Sequence, residues 1–123
     1  MPIGSGPSSK RGLLRLRHDI LVHEIIKAMS ATDLCRCWEQ PTGAAYREGT
    51  LIHYGVKGSA DISGIMRDGR RLEVEVKTGK AVQQDNQKAW GKMIINMRGI
   101  YFVARSVEHA IEQLQAAANT SRV

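Results

Sequence analysis

The chain has 123 residues, 42% of them hydrophobic and 24% charged, the profile of one small globular domain with its own core. A formal net charge of +6 and a pI near 9.7 favour an anionic partner such as nucleic acid. No apolar run is long enough to span a membrane and the N-terminus lacks a signal-peptide core, so a membrane partner is excluded and a cytoplasmic protein is expected.

Residues 1–10, rich in Gly, Ser and Pro, read as a flexible leader, residues 11–118 as the domain, and residues 119–123 as a frayed tail. From Gly12 to Ala31 the pattern is helical, with Leu14, Leu21, Val22, Ile25 and Met29 as the apolar stripe. His18 falls inside that stripe, where a histidine is either a satisfied core residue or a group aimed at a site. Leu13, Leu16 and Ile20 form a second apolar face, and with Ile3 they are the expected glue of a homodimer. Asp33–Gln40 alternates as a first strand, and Cys35 and Cys37, two apart on one face, read as reduced thiols rather than a disulfide or zinc pair. Pro41–Tyr46 reads as a loop, and Thr50–Tyr54 as a strand leading to Gly55.

The stretch Gly55–Lys77, GVKGSADISGIMRDGRRLEVEVK, organises the rest. Arg71–Lys77 alternates strictly: Leu72, Val74 and Val76 on the buried face; Arg71, Glu73, Glu75 and Lys77 on the polar one. Asp61–Met66 is its hairpin partner, and the turn length decides which side chains meet. A two-residue Asp68-Gly69 loop would put Asp61 opposite Val76, unpaired on the apolar face, at high cost. A three-residue Arg67-Asp68-Gly69 loop with Gly69 left-handed puts Asp61 opposite Glu75 and Ser63 opposite Glu73. Facing carboxylates repel, so this second register makes sense with a cation between them, although it leaves Ile65 on the polar face. Asp61 and Glu75, with the Val76 carbonyl, would then ligate Mg2+ or Mn2+, and Lys77 would stand beside the ion. Glu73 taken alone reads as part of a solvated face. Gly58 is needed by neither strand nor helix; it serves either backbone approach to a phosphate or a tight bend.

Beyond Lys80, Asp85 reads as a helix N-cap, with Ala89, Trp90, Met93, Ile94 and Met97 as the core stripe and Gln87 at its edge. Lys80, Lys88, Lys92 and Arg98 make this region basic, which suits phosphate contacts. Ile100–Ala104 reads as a buried central strand, and Ser106 as the cap of a last helix with Val107, Ala110, Ile111 and Leu114 inward. The order is α-β-β-β-α-β-α, an α/β domain with a small mixed sheet flanked by helices.

The Gly-x-x-Gly-x-x-Asp, Glu-x-Lys and downstream Gln elements, in order between Trp38 and Leu114, resemble the VRR-NUC nucleases of the PD-(D/E)XK superfamily. The resemblance implies a nuclease-like fold and a metal-dependent, structure-selective DNA endonuclease of a bacterium or phage-infected host cell. It further implies a homodimeric Holliday junction resolvase acting on four-way DNA junctions, with flap or general branched-DNA nicking as the alternative. The rival class is a non-catalytic DNA-binding module. The resemblance also gives Gln87 an ordering role at the active site, brings Thr42 and Gly43 near it, and implies a metal-completing glutamate on the first helix. That position carries His18 here, with Asp19 and Glu24 to the side, so whether His18 substitutes or Glu24 reaches in stays open. The expected catalytic set is Asp61, Glu75, Lys77, Gln87 and His18, with Gly58, Lys80, Lys88 and Lys92 toward DNA.

Overall fold

The computed structural model describes residues 9–120, so Ile3 and most of the expected leader lie outside the described residues. Helix α1 (Lys10–Ser30) starts where Ser9 accepts a hydrogen bond from the Gly12 amide at 3.0 Å, two residues earlier than the stripe alone predicts. Strand β1 (Cys35–Glu39) follows, then β2 (Gly43–Arg47), β3 (Thr50–Tyr54), β4 (Ile62–Met66) and β5 (Arg71–Val76). Helix α2 (Asp85–Asn96), strand β6 (Ile100–Ala104) and helix α3 (Val107–Ala118) complete the chain. The expected α/β class with a small mixed sheet is present, with more strands than expected. Residues 43–46, read as loop, are most of β2, which pairs with β3 in a separate two-stranded sheet.

The main sheet has the order β1-β4-β5-β6, antiparallel except for the parallel β5–β6 pair. Ser63 pairs with Glu73 and Ile62 with Val74, the register of the three-residue turn. Met66 receives its turn bond from Gly69 and donates to Arg70, and Gly69 has φ +93°, a conformation open to glycine. Ile65, on the polar face as this register requires, is exposed.

Alternation along the strands sends Ile62, Met66, Leu72, Val74, Val76, Phe102 and Ala104 into one core with Val22, Ile25 and Met29 of α1 and Ala110 and Leu114 of α3. The free thiols of Cys35 and Cys37 also face α1, donating to the Met29 and Ile26 carbonyls. Ser106 caps α3, accepting from the His109 amide at 3.1 Å. At the C-terminus the Thr120 hydroxyl still bonds the Ala116 carbonyl, so the first tail residues stay attached to α3.

Three expectations are corrected. β6 lies at a sheet edge rather than its centre, because the chain returns parallel to β5 and nothing pairs beyond it among the described residues. α2 is preceded by Gln84 at the N-cap position, with Asp85 its first residue. Its buried line is Gly91 and Ile94 with half-buried Trp90, whereas Ala89, Met93 and Met97 are exposed, since the helix meets the sheet along one narrow strip.

Candidate metal centre

The polar side of β5 is not a solvated face. β5 is an inner strand, and α2 packs against its second side, so Glu73 and Glu75 are 0% and 1% exposed. Glu73 is fully partnered. Its Oε2 accepts from Ser63 Oγ at 3.1 Å and from Arg71 at 2.7 and 2.9 Å, and its Oε1 accepts from Trp90 Nε1 at 2.7 Å. The solvated-face reading of Glu73 is therefore overturned: it is a buried anchor between β4, β5 and α2.

Glu75, two residues on, is different. Its Oε2 is buried without a hydrogen-bond partner among the described residues, and Lys77 Nζ lies 3.9 Å away. Burial, and then the neighbouring Asp61 carboxylate, push the Glu75 carboxyl up to about 9. Burial also works to raise Asp61, but hydrogen bonds from His18, Glu75 and the Val76 amide outweigh it and hold that carboxyl below its usual value. Two carboxyl groups thus compete for one proton at the end of the β4–β5 hairpin, the situation expected where a cation belongs between them.

Asp61 Oδ2 takes the place of a ladder partner, accepting from the Val76 amide at 2.8 Å. His18, from α1, places Nε2 3.3 Å from that same oxygen and 3.1 Å from the Val76 carbonyl. Both neighbours are acceptors, so Nε2 carries the proton, and Nδ1 faces Asp19 at 3.5 Å. The bond to Asp61 raises the His18 pKa above its usual value, against the opposing effect of burial. His18 is thus no core histidine. Glu24 is exposed and has no hydrogen bond or ion pair among the described residues, whereas Asp19 orients the imidazole.

Lys77 donates to Gln87 Oε1 at 2.9 Å, and the same oxygen accepts from the Gln84 amide at 2.9 Å. Gln87 therefore fixes the Lys77 ammonium and the start of α2 together. Gly58 (φ +88°) is explained by packing: a Cβ there would come within 2.7 Å of the Asn86 carbonyl. Lys80, Lys88 and Lys92 are exposed, and the last two line a shallow groove with Gln83 and Tyr101. Thr42 lines the cleft at Asp61, together with Arg15, Tyr54 and Ser59, none of which the sequence singles out.

Among the described residues no set of three or more His, Cys, Asp or Glu side chains is arranged to hold a metal by itself. A cation here would rely on two carboxylates and a main-chain carbonyl, a hard oxygen set that suits Mg2+ or Mn2+. The unpartnered Glu75 oxygen fits such an ion. No helix among the described residues is long and apolar enough to cross a membrane. No protein-family model matches the chain, and no curated protein is significantly similar to it. The VRR-NUC resemblance rests on the motif residues.

Proposed function

We propose that the chain is a Mg2+- or Mn2+-dependent endonuclease that hydrolyses phosphodiesters at branched DNA, working as a homodimeric Holliday junction resolvase. The observation that carries this reading is the buried Glu75 carboxyl, neighbour to Asp61, whose Oε2 lies beside Lys77 without a hydrogen-bond partner among the described residues. Asp61, Glu75 and the Val76 carbonyl would hold the ion, which when bound supplies Lewis acidity and a water acidic enough to attack at neutral pH. Lys77, held by Gln87, points its ammonium at the charge that develops on phosphate. His18 orients Asp61 and offsets its charge. Leu13, Leu16 and Ile20 on α1, 44–48% exposed, supply an apolar face for the second copy that a two-fold junction calls for.

One observation favours a second reading, a DNA-binding module without catalysis. His18 already satisfies Asp61 Oδ2 and the Val76 oxygen, two of the three donors assigned to the ion. Labelled four-way junctions, flaps, bubbles and duplexes incubated with Mg2+ and with Mn2+ separate these readings, with Asp61→Asn as control. Paired symmetric cuts in junctions support the resolvase. Cutting of flaps alone selects the nicking alternative, and binding without cutting in either metal selects the module.

A further inference from the structure

The mouth of the centre is a cleft of about 260 Å³ between α1 and the base of the β2–β3 hairpin, lined among others by Arg15, His18, Tyr54, Ser59 and Asp61. That volume is just below the usual range for small-ligand sites and of the size of a phosphodiester with its flanking sugar. Ser59 is 7% exposed, and its hydroxyl has no partner among the described residues although it is buried at this cleft. A buried hydroxyl left unsatisfied in a polar cleft calls for a partner there, a ligand or a water that a ligand displaces.

The walls carry the chemistry of an unpaired strand. Tyr54, 46% exposed, lies over Gly43, whose missing side chain makes the room: a Cβ there would stand 2.7 Å from the Tyr54 hydroxyl oxygen. One side of the phenol is thereby supported on the hairpin, and much of the residue stays open at the cleft. An aromatic ring so held is a stacking platform for a base. Arg15 of α1 lines the same cleft, where Asp19, Glu39 and Asp61 are the acidic groups, and the first half of that helix also carries Lys10, Arg11 and Arg17 with no acidic residue in its first turn. Cations at the positive end of a helix are unfavourable in isolation, and a polyanion lying along them removes that cost.

We infer that this cleft takes a single unpaired DNA strand, with Tyr54 stacked on a base next to the reacting phosphate and with Arg15 and Ser59 on the phosphate backbone. The substrate class of the nuclease proposed above, on which this inference rests, then narrows to branched DNA that presents an unpaired nucleotide at the cut, standing in a flap or released where the crossover of a junction opens. Stacking on the ring needs no base identity, so the selection is for strand state rather than sequence.

The test is binding in EDTA, so its outcome does not depend on cleavage. Fluorescein-labelled single-stranded and blunt duplex oligonucleotides of equal length are titrated with the full chain, and folding is checked by circular dichroism. The expected result is preferential binding of the single strand. Tyr54→Leu should weaken single-strand binding about tenfold or more, Tyr54→Phe should restore it, and duplex binding should change little in either. Arg15→Gln should weaken it and reduce the salt slope by about one ion. A wild-type protein that prefers duplex, or a folded Tyr54→Leu that binds single strand as the wild type does, overturns the inference. So does a Tyr54→Phe that binds as poorly as Tyr54→Leu. Absence of Mg2+-dependent cutting with this binding intact would instead remove the nuclease reading.

Discussion

The Lys77 ammonium donates to Gln87 Oε1 over 2.9 Å, tying the end of β5 to the first turn of α2. A lysine on a strand end ordinarily samples many rotamers; this one is anchored before any substrate arrives. In the nuclease proposed here, Lys77→Ala should lower the cleavage rate about 100- to 1,000-fold, as for loss of one donor aimed at a transition state. Junction binding should be largely kept. Gln87→Ala should cause a smaller loss of the same kind. Near-normal single-turnover rates for Lys77→Ala would leave it a structural lysine.

The metal-free protein should lose stability as pH rises. With the Glu75 carboxyl pushed up to about 9, the native state keeps a proton that the unfolded chain releases above the ordinary carboxyl value. More protons bound in the native state means that unfolding free energy falls with pH through that window, by at most about 1.4 kcal/mol per unit. His18, held above its usual value, contributes with the same sign; Asp61, held low, loses its contribution only toward acid. Calorimetry in EDTA should therefore show Tm falling from about pH 5 to about pH 9, with a flatter profile in Glu75→Gln. A wild-type profile that is flat would mean that Glu75 is ionised.

Adding Mn2+ or Mg2+ at neutral pH should raise Tm in the wild type by mass action and flatten its pH profile. Asp61→Asn and Glu75→Gln should each abolish the shift. Equal shifts in wild type and both variants would place any bound ion elsewhere.

His18→Ala should change the metal-induced Tm shift and slow cleavage, whereas Glu24→Ala should leave both unchanged, since Glu24 is exposed and has no hydrogen bond or ion pair among the described residues. The reverse pattern would move the α1 contribution to Glu24.

Trp90→Phe removes one donor to a buried carboxylate and keeps the ring. The expected cost is about 1.5–3 kcal/mol by urea unfolding, with the Glu73 Oε1 left unpaired. An unchanged midpoint would mean that water replaces the indole.

The hairpin register was legible because the alternatives differ sharply in cost: one buries an unpaired aspartate, the other needs only a left-handed Gly69. The placing of Asp61, Glu75 and Lys77 on one face followed from it, whereas Gln87 was brought in by the resemblance alone. The burial of Glu73 was not legible, because the strand pattern cannot say that β6 pairs on the far side of β5 and brings α2 down on its polar face. The β2–β3 hairpin escaped notice for a different reason. Its turn uses Glu48 and Gly49 with φ +52° and +80°, a conformation usually announced by Asn-Gly or Asp-Gly, and its first strand is mostly small residues. Ser59 carried no signal at all; its interest lies in having no partner among the described residues.

That hairpin leaves and re-enters the domain at nearly one place: a Cβ on Gly55 would lie 2.7 Å from the Pro41 carbonyl. All its residues from Gly43 to Tyr54 are exposed, and among the described residues both of its strands pair only with each other. Its length can therefore grow, shrink or be exchanged by insertion and deletion without shifting β1 or β4. Reach toward a substrate and the integrity of the core are carried by separable parts of the chain, free to change at different rates.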